Sequence, residues 1–174
     1  MKKESRLKKF EIILILNNPK EDQTTKEFKD LVDESINIWN LDNDRAVNRV
    51  RGLKLDIMID LMGYTSTNRI EMLKSRIARK QIIMMGFCNT TGLKNMDFII
   101  SDPNLIRPGE EKFYSEKVIY LPKIWNCHNG YDNKRVFNSA PSIKKKFITF
   151  GSFNNFRKIN DDVISVWSMI LKKV

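Results

Sequence analysis

Residues 55–92 read LDIMIDLMGYTSTNRIEMLKSRIARKQIIMMGFCNTTG, and the order of apolar runs and breaks in this stretch decides the fold. One apolar run, 55–61, stops at Gly63-Tyr64-Thr65, and a second, 81–85, stops at Gly86 and a polar loop that closes on Gly92. Between them Ile70, Leu73 and Ile77 recur at helical spacing, which predicts a helix over 68–77. Runs that are apolar throughout, rather than alternating with polar residues, belong to strands buried on both faces, as in a parallel sheet. Ligands of open α/β sheets sit beyond the carboxyl ends of the strands, so both loops are expected on the ligand-binding edge.

The same alternation extends in both directions. Strands are predicted at 10–16, 35–39, 97–101 and 118–121, with helices at 24–34 and 42–51 and a short helical turn near 110–114. The fold class expected is therefore α/β, a Rossmann-like, mostly parallel sheet flanked by helices, with all six strands in one sheet. From 122 to 146 periodicity disappears and Asn, Lys, Ser, Pro and Gly dominate, which reads as a linker. A strand at 147–150 and a helix capped by Asn160 then open a second unit, the helix burying Val163, Trp167, Ile170, Leu171 and Val174. The resulting division is a lobe over 1–121, a linker over 122–146 and the start of a second lobe over 147–174.

With 174 residues and 41% apolar content the chain can bury an ordinary core. No apolar run is long enough to span a bilayer and the two cysteines are sparse, so a soluble, cytoplasmic chain is expected. Thirty-one basic against 21 acidic residues give a net charge of +10. That charge admits a basic anion- or nucleic-acid-binding module as the rival reading, but the lysines are dispersed and not interleaved with stacking aromatics, which disfavours nucleic acid. There is no GxG dinucleotide fingerprint and no phosphate-binding GxxxxGK[ST] loop. Cys127 and His128 are adjacent with no further Cys or His at ligand spacing, so no metal site and no cofactor are expected.

The motifs DIMIDLMGYT, GFCNTTG, MDFIISD, YSEK and FGSFNNFRKI, in this order, resemble the catalytic region of the O-GlcNAc transferase and SPINDLY glycosyltransferases. The resemblance covers residues 10–174. It implies an incomplete GT-B fold: most of an N-terminal lobe, lacking its first strand, and the beginning of the C-terminal nucleotide-binding lobe. It implies transfer of a sugar, N-acetylglucosamine from UDP-GlcNAc, to Ser or Thr hydroxyls of an acceptor protein without a metal. It also implies upstream tetratricopeptide repeats, a full second lobe downstream, and a base-bearing segment with no match before Phe10, so this chain alone is expected to be inactive.

Site residues follow from the same resemblance, each beside what its chemistry says alone. The 86–92 loop reads equally as a plain loop or as a ligand wall in which glycine admits close approach and Asn89, Thr90 and Thr91 offer polar groups. The resemblance makes Gly86, Phe87 and Cys88 the lining of the donor sugar, with Phe87 in place of the usual tyrosine. It sets Thr65 and Arg69 in the cleft, although Arg69 reads equally as an exposed helix arginine, and Ser66 stands where some members have lysine. Asn155 and Lys158, just before the Asn160 cap, would bind the donor diphosphate, since a helix N-terminus attracts phosphate. By its residue type alone Lys158 is a solvated lysine.

Overall fold

The computed structural model describes residues 9–126 and 139–174, which fall into two compact units, Met1–Asn129 and Gly130–Val174. In the first, the order is β1 (Ile13–Leu16), α1 (Gln23–Leu31), β2 (Glu34–Asn37), α2 (Asn43–Arg51), β3 (Ile57–Asp60), α3 (Ile70–Leu73), β4 (Lys80–Ile83), β5 (Phe98–Ser101) and β6 (Lys117–Tyr120). Every strand pairing is parallel. The α/β class with a parallel sheet and flanking helices is thus the observed architecture.

Helix starts are chemically specified. Asp22 accepts the Thr25 amide while Thr25 Oγ1 takes the Asp22 amide, a reciprocal cap at the head of α1. Asp42 Oδ1 accepts the Arg45 amide at 2.8 Å to start α2. The inner face of α2, Ala46, Val47 and Val50, packs with Ile70, Met72 and Leu73 of α3 and with Met58, Ile83 and Ile99 of the strands in one buried cluster. Ile36 and Ile38, from and after β2, belong to the same cluster, so one core serves all six strands.

Four expectations need correction. The strands form two sheets, β1-β2 and β3-β4-β5-β6, rather than one, because β1 and β3 are not hydrogen-bonded neighbours and each keeps an unpaired edge. The alternation of strand and helix reveals crossovers but not which strands adjoin. The helix predicted over 68–77 is only Ile70–Leu73. Downstream of it Gln81, fully buried, accepts the Ile77 amide at 2.6 Å and donates to the Leu73 carbonyl, two groups that a continued helix would have paired with each other, and donates also to the Asn95 carbonyl. Helix α1 also ends earlier than predicted and β2 starts sooner, since Asp33 and Glu34 amides donate to the Ile12 carbonyl and Asp33 Oδ2 accepts the Ile12 amide, drawing this segment onto β1.

The fourth correction concerns the second unit. Residues 147–150 are not a strand. Strand ladders need a partner, and none of the described residues of this unit supplies one. Part of the predicted linker is the short helix α4 (Pro141–Lys145), begun by Pro141 in the first turn and ended by Lys146 at φ 63°. The predicted helix is present as α5 (Asp161–Leu171), capped by Asn160 Oδ1 on the Val163 amide at 3.0 Å. Its expected buried stripe is largely exposed, Trp167, Ile170 and Leu171 included, and these side chains line an apolar groove with Phe147, Ile148 and Phe150. Cys127 and His128 lie outside the described residues.

Candidate functional site

The loops leaving β3 and β4 lie against each other at the carboxyl end of the four-stranded sheet. Their junction is backbone to backbone: the Gly86 amide donates to the Leu61 carbonyl at 3.1 Å. A Cβ on Gly86 would stand 2.1 Å from that oxygen, so only glycine fits. Gly63, at φ 53°, faces Phe87, whose Cβ is 2.2 Å from where a Gly63 Cβ would be. Tyr64 completes the contact by stacking edge-on against Phe87, centroids 5.3 Å apart, and by donating its hydroxyl to the Thr91 carbonyl at 2.7 Å. Met85 and Thr67 adopt φ values of 66° and 61° in these loops, left-handed conformations that cost non-glycine residues energy and cluster at functional sites.

Beneath the first loop sits Asp60, 9% exposed at the end of β3. Its Oδ2 accepts the Gly63 amide at 2.6 Å, fixing the turn. Burial pushes the Asp60 carboxyl above the ordinary 3.8, with the Gly63 and Met62 amides opposing that shift. A carboxyl raised in the folded state contributes stability that is present below 3.8 and is lost as pH rises through the higher folded value. Asp60→Asn keeps an acceptor for Gly63 and never ionises, so it should melt higher than the native chain at pH 7. That advantage should shrink as pH falls toward 3.8, and thermal denaturation across pH checks both the sign and its disappearance.

Thr65 is half-buried, and its hydroxyl donates to the Met62 carbonyl at 2.7 Å. Arg69 is not an exposed helix arginine. Its Nε donates to Asn17 Oδ1 at 2.9 Å, one terminal nitrogen to Asn43 Oδ1 at 3.1 Å, and the other to the carbonyls of Ile38, Trp39 and Leu41 at 2.8, 3.0 and 2.9 Å. Together with the Asn17 side-chain bond to the Thr67 carbonyl, it ties the ends of β1 and β2 to the loop after β3. It is a latch between the two sheets at the site's rim.

The 86–92 loop, which the sequence left open between a plain loop and a ligand wall, turns part of its polar chemistry inward. Thr90 and Thr91 direct their hydroxyls inward to Glu116, so they serve the loop rather than a ligand. Gly86, Cys88 and Asn89 are exposed, while Phe87 is half-buried against the core. In the second unit Asn155 Oδ1 accepts the Arg157 amide at 3.0 Å and begins the short 3-10 turn Phe156–Lys158. Arg157 and Lys158 are exposed ahead of α5, whose first turn also carries the carboxylates of Asp161 and Asp162. Among the described residues no three His, Cys, Asp or Glu side chains gather as a metal site, and no helix is long and apolar enough to cross a membrane.

Sequence reasoning missed Asp60, Tyr64, Asn17 and Glu116. Asp60 carried a local signal, an Asp at a strand end three residues before a glycine whose amide its carboxylate can accept, the spacing of a helix N-cap. The others act across 25 residues or more and carried no local signal.

Parallel strands flanked by helices, with paired glycine loops at the carboxyl ends of β3 and β4, define an α/β protein. The chain belongs to glycosyl transferase family 41, whose family model matches residues 17–146. It is 32% identical over 166 residues to a probable UDP-N-acetylglucosamine–peptide N-acetylglucosaminyltransferase SPINDLY of Petunia hybrida, covering 93% of this chain and 18% of the relative. It is 28% identical over 150 residues to the probable enzyme of the same name, SEC, of Arabidopsis thaliana, covering 80% of this chain and 15% of that one. A solved mutant O-GlcNAc transferase of Thermobaculum terrenum superimposes with a TM-score of 0.81 at 27% identity, covering 94% of this chain and 31% of that one. The chain therefore spans under a fifth of the length of these curated relatives and under a third of the solved one.

Proposed function

We propose that this chain is part of a GT-B protein O-GlcNAc transferase and contributes one wall of its donor site. The reading rests on the paired loops: Gly63 and Gly86 hold two loops together at the carboxyl ends of β3 and β4, where a sugar can approach backbone closely. Membership of glycosyl transferase family 41 supplies the reaction class. The donor is UDP-GlcNAc and the acceptor a Ser or Thr hydroxyl of a protein in the cytoplasm.

Gly86 and Cys88 face the sugar through backbone, and Phe87 sets the separation of the loops. Thr65 lines the cleft, and Arg69 shapes its rim through the carbonyls it holds. Asn155 and Lys158 serve the diphosphate, Lys158 by offsetting charge on the leaving group and Asn155 by shaping the turn that presents it. No metal takes part. Tetratricopeptide repeats and a complete nucleotide-binding lobe act with this wall in the longer protein. Transition-state stabilisation needs both sides of the cleft, so the purified chain should bind donor without turning it over.

Labelled UDP-GlcNAc and a generic oligonucleotide, each titrated across a salt series, test this. Donor binding that persists as salt rises, with no transfer to an acceptor protein, is the expected result. Oligonucleotide binding that falls steeply with salt, and no donor binding, would replace it with the nucleic-acid reading.

A further inference from the structure

Glu116 lies just before β6, 3% exposed, and no ion pair holds its carboxylate among the described residues. Its partners all belong to the loop after β4. Oε1 accepts the Thr91 amide at 2.7 Å and the Thr91 hydroxyl, and Oε2 accepts the Thr90 hydroxyl at 2.8 Å. The two threonines pass this restraint along the backbone. Thr90 Oγ1 accepts the Ser115 amide at 3.1 Å and the Gly92 amide at 3.3 Å, and Thr91 Oγ1 accepts the Leu93 amide at 3.2 Å. From the opposite side the Tyr64 hydroxyl holds the Thr91 carbonyl.

We propose that Glu116 is a positioning residue for donor recognition: a buried carboxylate on which the 86–92 loop is folded, so that its exposed tip, Cys88 and Asn89, meets the sugar in one geometry. The functional half rests on the donor-wall reading above. A carboxylate suits this task because it accepts from several donors at once and donates to none, so an amide and two hydroxyls of adjacent residues converge on it. Placement at the start of a strand gives the anchor a rigid base, which a loop-to-loop contact lacks. The arrangement also explains why two hydroxyls that look suited to a sugar are turned away from solvent. They specify the loop, and the ligand-facing groups are left to its tip.

Amide-resolved hydrogen exchange on this chain and two variants tests the anchoring. In Glu116→Ala the amides of Thr91, Gly92 and Leu93 should exchange at least about tenfold faster, because the opening free energy of the loop falls while that of the sheet does not. Amides of Ile83 and Ile99 in the core strands should keep their native rates. Glu116→Gln retains an acceptor and the side-chain length and should restore most of the protection. Unchanged loop rates in Glu116→Ala would overturn the proposal, as would acceleration spread evenly over loop and core strands, since that marks a general stability role.

The donor half is read separately, with UDP-GlcNAc at millimolar concentration as the probe. Slowed exchange at Cys88 and Asn89 in the native chain and in Glu116→Gln, absent in Glu116→Ala, is the expected result. If those amides are unaffected by UDP-GlcNAc in the native chain, the donor assignment of the loop is overturned, whatever the first arm shows of the anchor. If they are slowed equally in Glu116→Ala, the loop takes donor without its anchor and the positioning role is overturned.

Discussion

Arg69→Met should lower the stability of the chain by roughly 3 kcal/mol, the upper end of what leaving part-buried hydrogen-bond acceptors unsatisfied costs. Methionine preserves the apolar stem and removes every donor. The carbonyls of Ile38, Trp39 and Leu41 and the side-chain oxygens of Asn17 and Asn43 would then each lose a bond to a full positive charge. Arg69→Lys should recover little, because one ammonium cannot reach acceptors arranged around a planar fork. Urea unfolding of both variants measures the effect. A loss within the ~0.5 kcal/mol typical of surface substitutions would return Arg69 to the class of exposed helix arginines.

Gly86→Ala is the second large effect, on the order of 3 kcal/mol, because the added methyl meets backbone rather than a side chain that could rotate away. Its Cβ would stand 2.1 Å from the Leu61 carbonyl oxygen and 3.0 Å from the carbon, and relief requires breaking the Gly86–Leu61 bond that joins the loops. Gly92→Ala is the matched comparison. No atom lies within 4 Å of its Cβ position, and it carries only the penalty of φ 68°, about 1–2 kcal/mol. Thermal unfolding should rank Gly86→Ala well below Gly92→Ala. The reverse order would show that the loops are not in the close contact described.

What could be read from the sequence is what short stretches encode. Apolar runs located the six strands of the first unit, and Asn160 marked a helix start by chemistry confined to four residues. Gly63 and Gly86 marked the strand ends that meet. The site's internal wiring was not legible, because Glu116 and Thr91 are 25 residues apart and Arg69 reaches carbonyls 28–31 residues away.

Gln81 illustrates the same limit within the fold. A polar residue opening an apolar run gave no hint that it would be wholly buried and bonded to the segment before it. The single-sheet expectation failed for a related reason. Strand order depends on which edges pair, and β1 and β3 each retain an open edge. Beside it Ile57, Ile59 and Leu61 remain about half exposed, although strands of a parallel sheet are ordinarily covered on both faces.

The paired loops after β3 and β4 are proposed as the wall that meets the donor sugar. Titrating the isotope-labelled chain with UDP-GlcNAc while following backbone amides by NMR tests it most directly. Saturable shifts are expected at Thr65, Gly86, Cys88 and Asn89, with none at Leu55 and Arg79 at the amino ends of β3 and β4. Shifts confined to that opposite edge, or none at either loop at saturating donor, would contradict it.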